Sequence, residues 1–163
     1  MLPGRVVRIT TDWQTCAAVQ DLLEIKLGSA QAGFVLGWKI VQSSLEGTTS
    51  IPKHKIGAKR ATGSFSSGSG GGTATVVKNQ SGDASHGLTT IERNNTTQAT
   101  AGTGTLENMD PDVMNESAGA IEAAYIPEAM PAVGPAEAFI LSFDEAPTSG
   151  TYCATVTLLI THG

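Results

Sequence analysis

Three residue types of a hydrolytic triad occur close together, at Asp83, Ser85 and His86. In such a triad the histidine takes the proton of the serine hydroxyl, which attacks the substrate, while the acidic residue orients the histidine. A triad is defined by the positions of its side chains in space, and one short polar segment does not supply them. We therefore predict a solvated loop and a protein that is not an enzyme, with a hydrolase that uses His86 as the less favoured alternative.

Possible zinc ligands are scattered along the chain. His54, His86 and His162 lie far apart, and Cys16 and Cys153 do not form a Cys-x-x-Cys pair, so the spacing of a zinc site is missing. Both cysteines occupy apolar, strand-like stretches near opposite ends of the chain. We expect buried free thiols, since the N-terminal residues do not resemble an export signal, and keep a disulfide between the terminal strands as the alternative.

One acidic segment has enough oxygen ligands for calcium. Glu107, Asp110, Asp112 and Glu116 lie within ten residues, but without the spacing of a known calcium-binding loop. We expect a solvated acidic turn followed by a short strand or helical turn, and calcium binding stays the alternative. No metal and no cofactor is predicted.

Within a Gly/Ser-rich stretch near 64–73, the residues Gly68-Ser-Gly-Gly-Gly72 have the composition of a phosphate-binding loop. It lacks the Lys-Ser/Thr ending of a P-loop and continues into Thr73-Ala-Thr-Val-Val77 instead of a helix. We therefore predict a flexible surface loop that does not hold a packed shape on its own.

Basic residues concentrate between Ile51 and Ala61, where Lys53, Lys55, Lys59 and Arg60 follow a proline. Proline and lysines are typical of a strand at the edge of a sheet, where they discourage stray pairing. These four residues are our candidates for contact with an acidic partner. Nucleic acid is not expected, because the sequence pI is about 5.1 and stacking aromatics do not alternate with the basic residues.

Charge is divided unevenly between the two halves of the chain. Residues 1–78 contain nine Lys or Arg against four Asp or Glu, a net charge of +5, whereas residues 79–163 contain one against eleven, a net charge of −10. Two explanations fit. The halves attract each other within one fold, or the basic surface of one copy meets the acidic surface of the next.

Composition favours β-structure. Only 15% of the 163 residues are charged and 19 are glycine, which indicates many turns and small packed side chains. We predict a single all-β domain over residues 1–163, a jelly-roll-like antiparallel sandwich of eight to ten short strands with long polar loops. No apolar run approaches the roughly 18 residues that span a bilayer, so no membrane partner is expected. Strands are predicted at 5–12, 19–27, 34–42, 51–61, 73–78, 88–92, 96–101, 120–126, 137–143 and 151–161.

The last two predicted strands carry the clearest alternation. Phe139, Leu141 and Phe143 share one face of the first, and in the second every other residue from Tyr152 to Leu158 is apolar. A turn rich in Pro and Gly separates the two. We predict that they form an antiparallel pair. For residues 19–27 the pattern also suits a short helix, but flanking glycines favour a strand.

The order of these segments resembles small virion proteins of tailed bacteriophages, of the β-sandwich or jelly-roll type that decorates or cements a capsid. The resemblance is carried by residues 20–25, Leu36-Gly-Trp38, Ser67 to Thr73, Asn94-Asn-Thr-Thr97, and Phe139 to Tyr152 with Glu145-Ala-Pro147 and Ser149-Gly150. It implies a homo-oligomer, with a trimer favoured, on the surface of a virion and no catalytic residues. Its partners would be the major capsid protein or other virion subunits, after synthesis in the host cytoplasm.

The resemblance leaves a second role open. A tail-associated protein that binds a receptor or carbohydrate would present aromatic side chains in its long loops, and Trp13, Phe65 and Tyr125 are the candidates. We expect capsid decoration, with this binding role as the alternative.

Overall fold

A computed structural model describes residues 4–43, 53–81, 86–115, 119–147 and 150–162, and within them the chain is almost entirely β. The predicted all-β sandwich is confirmed: two antiparallel sheets pack against each other. The described residues form thirteen strands and one 3₁₀ turn at Pro127–Ala129. They contain no helix that is long and apolar enough to cross a membrane. The prediction of eight to ten strands is too low because three strands have only two or three residues.

The seven-stranded sheet has the order β10-β4-β13-β1-β7, with β11 also paired to β4 and β2 to β13. Its strands are β1 (Gly4–Thr10), β2 (Gln14–Cys16), β4 (Gln31–Gln42), β7 (Thr75–Lys78), β10 (Ile121–Ala124), β11 (Ala132–Val133) and β13 (Gly150–His162). The first and last strands of the chain are therefore direct neighbours.

The six-stranded sheet has the order β6-β8-β3-β12-β5-β9. Its strands are β3 (Gln20–Leu27), β5 (Lys53–Thr62), β6 (Gly72–Thr73), β8 (Leu88–Asn95), β9 (Thr105–Asn115) and β12 (Ala138–Phe143). Residues 73–78 were predicted as one strand, but Gly72 and Thr73 pair with β8, Thr75 to Lys78 pair with β1, and the buried Ala74 lies at the crossing. This segment joins the two sheets along one side.

The core between the sheets is built by the predicted alternation. Phe139, Leu141 and Phe143 of β12 are fully buried, as are the inward residues of β13 from Tyr152 to Ile160. Phe143 and Tyr152 meet edge to face across the sheets, with ring centroids 4.9 Å apart, and the buried His54 packs against both rings. Aromatic contacts of this kind add to the area that they bury.

The predicted pairing of the two terminal strands is wrong. β12 lies between β3 and β5 in the six-stranded sheet, whereas β13 lies between β4 and β1 in the other. The connection between them crosses from one sheet to the other instead of turning back as a hairpin. Alternation had specified which residues face the core, but both arrangements satisfy it equally well.

The basic strand is not at an edge. β5 lies between β12 and β9, and β9 is the outer strand. The acidic segment predicted as a turn is this continuous edge strand, and it accommodates Pro111 because an edge strand does not need every N–H for pairing. Residues 96–101, predicted as a strand, make two isolated bridges instead.

An irregularity in β3 sets the geometry of the outer face of the six-stranded sheet. Leu23 pairs with Leu141, but the next paired residue, Asp21, meets Ser142, so Leu22 is an extra residue relative to β12. Leu22 and Leu23 both enter the core as a result. Asp21 and Glu24 consequently share the outer face, although a regular strand would place residues three apart on opposite faces.

A third layer covers that outer face. It consists of residues 64–71 and 96–104, which we call the cover, and its two parts are bridged at Ser66 and Thr100 and at Ser69 and Thr97. Phe65 and Ala99 of the cover pack with Ala61, Ala138 and Ile140 of the sheet in a small second core. The Gly/Ser stretch thus has its packing partners elsewhere in the chain, and its flexibility stays a prediction.

Candidate functional site

The outer face of the seven-stranded sheet is the candidate contact surface. The register places three rows of side chains across its central strands, and we call these rows the open face. They are Val6, Leu159 and Phe34; Val77, Arg8 and Thr157; and Thr75, Thr10, Thr155 and Lys39. Every one of these side chains is partly or fully exposed, whereas the intervening rows form the core.

The open face combines an apolar row with a cation. Val6, Leu159 and Phe34 are adjacent on three neighbouring strands, so they form a continuous apolar band. Arg8 projects from the next row, and in the described part of the chain no hydrogen bond or ion pair holds its guanidinium. Lys39, by contrast, lies 3.4 Å from Glu122. Arg8 is therefore the uncompensated charge of this surface.

Shallow grooves lie on both sides of Arg8. One has a volume of about 590 Å³ and is bounded by Leu36, Lys39 and Glu122, and the other, of about 230 Å³, is bounded by Val77 and Lys78. Arg8 and Thr157 line both. A planar guanidinium between two depressions is suited to receive a carboxylate from a partner as a bidentate pair.

The four predicted partner-binding residues lie on or beside the other sheet. Lys59 Nζ is 2.5 Å from Asp144 Oδ1, Arg60 Nη2 is 2.6 Å from Glu107 Oε2, and Lys55 Nζ is 3.8 Å from Glu145 Oε2. Lys53 is exposed at the start of β5. A partner would compete with the chain's own carboxylates for three of these cations.

The same ion pairs bear on the uneven charge distribution. The described pairs include Lys39–Glu122, Lys55–Glu145, Lys59–Asp144, Arg60–Glu107 and Arg93–Asp12, and each joins a residue of 1–78 to one of 79–163. The two halves therefore attract each other within one chain, as the first explanation requires. Arg8 takes no part in this pairing.

The predicted catalytic and metal-binding groupings are only partly described. Asp83 and Ser85 lie outside the described residues, and His86 Nδ1 accepts a hydrogen bond from the N–H of Leu88 at 3.2 Å. Partial burial and then the charge of Lys78 lower the pKa of His86. The side chains of the described residues contain no cluster of three or more His, Cys, Asp or Glu placed to hold a metal.

The described carboxylates of β9 accept hydrogen bonds from groups of the same chain. Glu107 pairs with Arg60, Asp110 accepts a hydrogen bond from the hydroxyl of Tyr125 at 2.9 Å, and Asp112 accepts one from the N–H of Val113 at 2.7 Å. Glu116 lies outside the described residues. Calcium binding at this segment stays the less favoured alternative.

The two cysteines are free thiols in this structure. Cys16 is buried, and burial raises the pKa of its thiol to about 12, which keeps it protonated and unreactive. Cys153 lies on the outer side of the seven-stranded sheet, 3.4 Å from the hydroxyl of Thr10.

The candidate carbohydrate-binding aromatics have different environments. Phe65 is buried in the second core, while Trp13 is 52% exposed. Tyr125 is half-buried and accepts a hydrogen bond from Trp38 Nε1 at 2.9 Å. Burial, followed by the hydrogen bond to Asp110 and the charge of that residue, raises the pKa of Tyr125 to about 12, so it remains a neutral link between the two sheets.

Sequence reasoning missed both Arg8 and the pair Asp21 and Glu24. Arg8 stands in an apolar strand, where its alternation with Val7 and Ile9 does indicate an outward position. The signal for the buried acids was weaker: two polar stretches, 64–73 and 96–104, contain no charged residue. Comparison with protein-family models, with curated proteins and with solved structures finds no match for this chain.

Proposed function

We propose that this protein is a non-enzymatic structural protein of a bacteriophage virion that decorates the capsid and stabilises it through contacts between subunits. The observation that carries the proposal is the contrast between the two outer faces of the sandwich. One is covered by the chain itself, and the other presents an apolar band beside an uncompensated arginine.

The size of the open face favours repeated contacts. Four strands at about 4.8 Å spacing and five residues of about 3.3 Å each give a flat area on the order of 300 Å². A stable pairwise interface buries about 800 Å² on each partner. One open face is therefore modest as a contact, and copies arranged on a lattice would add avidity to it.

The proposed contact has two parts. The apolar band of Val6, Leu159 and Phe34 would be removed from water against a capsid subunit or a neighbouring copy, which stabilises by about 25 cal/mol for each Å² of apolar surface. Arg8 would pair with a carboxylate at the centre of the contact, where arginine is enriched among residues that dominate binding. Bonds across capsomer junctions would then raise the barrier to rupture of the shell.

The test starts from particles of the source virus. Gradient-purified particles should contain the chain in a fixed ratio to the major capsid protein, and cryo-electron microscopy should place it on the head, with a trimer as the expected form. Particles stripped of the chain should rupture at a lower temperature and recover when purified chain is added back. An unchanged rupture temperature, or absence of the chain from the particles, would refute the proposal.

Two variants separate the candidate surfaces. Arg8→Glu inverts the charge of the open face, whereas the double variant Lys53→Glu and Lys55→Glu inverts the exposed part of β5. We expect the first to reduce rebinding to stripped particles at least tenfold and the second to leave it within twofold. The opposite result would assign binding to β5, as the sequence predicted.

The receptor- or carbohydrate-binding role has one observation in its favour, the exposed Trp13 in the turn between β1 and β2. Exposed indole rings serve as stacking platforms for ligands in protein binding sites. A glycan array probed with the wild-type chain and with Trp13→Ala tests this role. A glycan signal lost in the variant, together with a tail location in the particle, would replace decoration as the function.

A further inference from the structure

Two carboxylates are buried on the outer face of the six-stranded sheet. Asp21 is 2% exposed and Glu24 is fully buried, and the irregularity at Leu22 brings them to the same side of β3. Burial of a charged carboxylate is costly unless it is paired or hydrogen-bonded. The contacts around these two side chains therefore decide which protonation state the fold can hold.

The cover bonds to both carboxylates through its backbone. The N–H of Gly68 donates to Glu24 Oε2 at 2.8 Å, and the N–H of Ala99 donates to Asp21 Oδ2 at 2.6 Å. One bond comes from each part of the cover, and the two parts also bond to each other. Neither part contains a charged residue, so the cover supplies dipoles but no cation.

The sheet beneath does not neutralise the pair either. Asn95 Nδ2 lies 3.0 Å from Glu92 Oε2 and 3.5 Å from Glu24 Oε2, so it serves two carboxylates. Glu92 is directly opposite Glu24 across β3 and β8, a like-charge pair that is unfavourable. Glu24 Oε1 and Asn95 Oδ1 are buried without a hydrogen-bond partner among the described protein atoms.

Nearby cations are engaged elsewhere. The charge of Lys59 on β5 lowers the pKa of Asp21, but Lys59 pairs directly with Asp144, which follows β12 and whose charge raises that pKa. Lys26 Nζ on β3 lies over the ring of Phe65, 4.8 Å from its centroid. Arg93 on β8 donates to the carbonyl of Thr11 at 2.6 Å. A proton is the remaining species that removes charge from this buried site without needing space.

We propose that Asp21 takes up a proton when the cover closes over it and releases that proton when the cover opens, so that acid holds the cover shut. The cover would then open less often over the second core of Phe65, Ala99 and Ile140 in mild acid than at neutral pH. Opening would hydrate the carboxylates and uncover the apolar outer residues of β12. This proposal is independent of the role on a virion.

The sign of the effect follows from the burial of Asp21. Burial, with a further contribution from the charge of Glu24, outweighs the opposing hydrogen bond from the N–H of Ala99 and raises the pKa of Asp21 to about 6 from an ordinary value of 3.8. The closed state thus binds the proton more tightly than the open state, in which the carboxyl is hydrated. Opening becomes easier as pH rises from about 4 to about 6 and is constant above that window.

Hydrogen exchange of the full-length chain tests the proposal. After correction for intrinsic exchange rates, the amides of Gly68 and Ala99 should open about tenfold more often at pH 7 than at pH 5, as linkage between the two pKa values requires. The amides of Ser66 and Thr100, which bond to each other within the cover, should change in parallel. The amide of Ala129, which bonds to the carbonyl of Ile126 in the exposed 3₁₀ turn and exchanges by local opening, is the internal control.

Variants identify the titrating group. Asp21→Asn keeps an oxygen for the N–H of Ala99 but cannot titrate, so its cover should open equally often at both pH values. Glu107→Gln, on the exposed edge strand, should retain the wild-type dependence. Since Asp21→Asn could fail to fold, carboxyl carbon NMR of the wild-type chain gives a second reading, with Asp21 expected to titrate near pH 6. Equal opening of the wild-type cover at both pH values, or titration of Asp21 near 4, would overturn the proposal.

Discussion

The two outer faces of this sandwich differ although both are built from alternating strands. On the open face Val6, Thr157 and Leu159 remain partly exposed, whereas Ile140 and Ser142 on the covered face are fully buried. The difference comes from the cover, residues 64–71 and 96–104, which lies on one sheet and not on the other. An outward position in a strand therefore does not determine exposure, because a loop from elsewhere in the chain can bury it.

The sharpest way to break this comparison is to place the same charge on both faces. Ile140→Asp would bury an unpaired carboxylate beneath the cover and should lower the free energy of unfolding by about 4 kcal/mol or more. Leu159→Asp, on the open face, should cost only about 1 kcal/mol, because its carboxylate stays hydrated. Urea denaturation measures both, and equal losses would show that the two faces are equally buried.

A smaller change tests how closely the cover lies on the sheet. A methyl group at Gly68 would meet Asn95 Nδ2 at 2.7 Å, the carbonyl oxygen of Thr97 at 2.8 Å and Asp21 Oδ2 at 3.0 Å. Gly68→Ala should therefore cost about 2 kcal/mol through overpacking. Gly72→Ala is the matched control, since its nearest neighbour is Arg93 Nε at 3.7 Å, and we expect less than about 0.5 kcal/mol. A stable Gly68→Ala protein would mean that the cover is loosely held.

The buried acid should also affect global stability. Because the folded pKa of Asp21 is raised, to about 6, its contribution favours folding in acid and is lost as pH rises through that value. Between pH 5 and pH 7 this one group should lower the free energy of unfolding by about 1 kcal/mol. Urea titrations of wild type and Asp21→Asn at the two pH values give the difference that belongs to Asp21. If the free energies of unfolding of wild type and Asp21→Asn differ by the same amount at pH 5 and pH 7, Asp21 is not the titrating group.

The smallest expected effects concern the ion pairs of β5. Lys55 and Glu145 are 69% and 53% exposed and 3.8 Å apart, so Lys55→Met should change the free energy of unfolding by less than about 0.5 kcal/mol. Lys59 is 15% exposed and 2.5 Å from Asp144, and Lys59→Met should cost about 1 kcal/mol. Thermal unfolding at low and high salt distinguishes them. A larger loss from Lys55→Met would show that exposed pairs carry the attraction between the two halves of the chain.

Much of the fold could be predicted because alternation is a local property. The inward residues of β12 and β13, and the strand character of residues 20–27, follow from which neighbours are apolar. Strand pairing could not be predicted in the same way. β12 and β13 satisfy the same alternation as a hairpin or as members of different sheets, and distant strands decide between the two.

The candidate surfaces were harder to predict than the fold. The basic residues at 53–60 were predicted to contact an acidic partner. Three of these cations instead contact carboxylates that lie 47 to 90 positions further along the chain. Arg8 is isolated in sequence, and only the structure shows that no carboxylate of the described residues forms an ion pair with it, since Glu122 in the neighbouring groove pairs with Lys39. Charge density along a sequence does not reveal which charges are already compensated.

The sequence by itself determined the β class, the sides of β12 and β13 that face the core, and the uneven division of charge between a basic half and an acidic half. Only the tertiary structure decided which strands are neighbours, that the uncharged cover lies over Asp21 and Glu24, and that Arg8 lies on the open face. The physical reason is range: side-chain alternation is fixed by adjacent residues, whereas the burial or neutralisation of an outward side chain depends on segments far away in the chain.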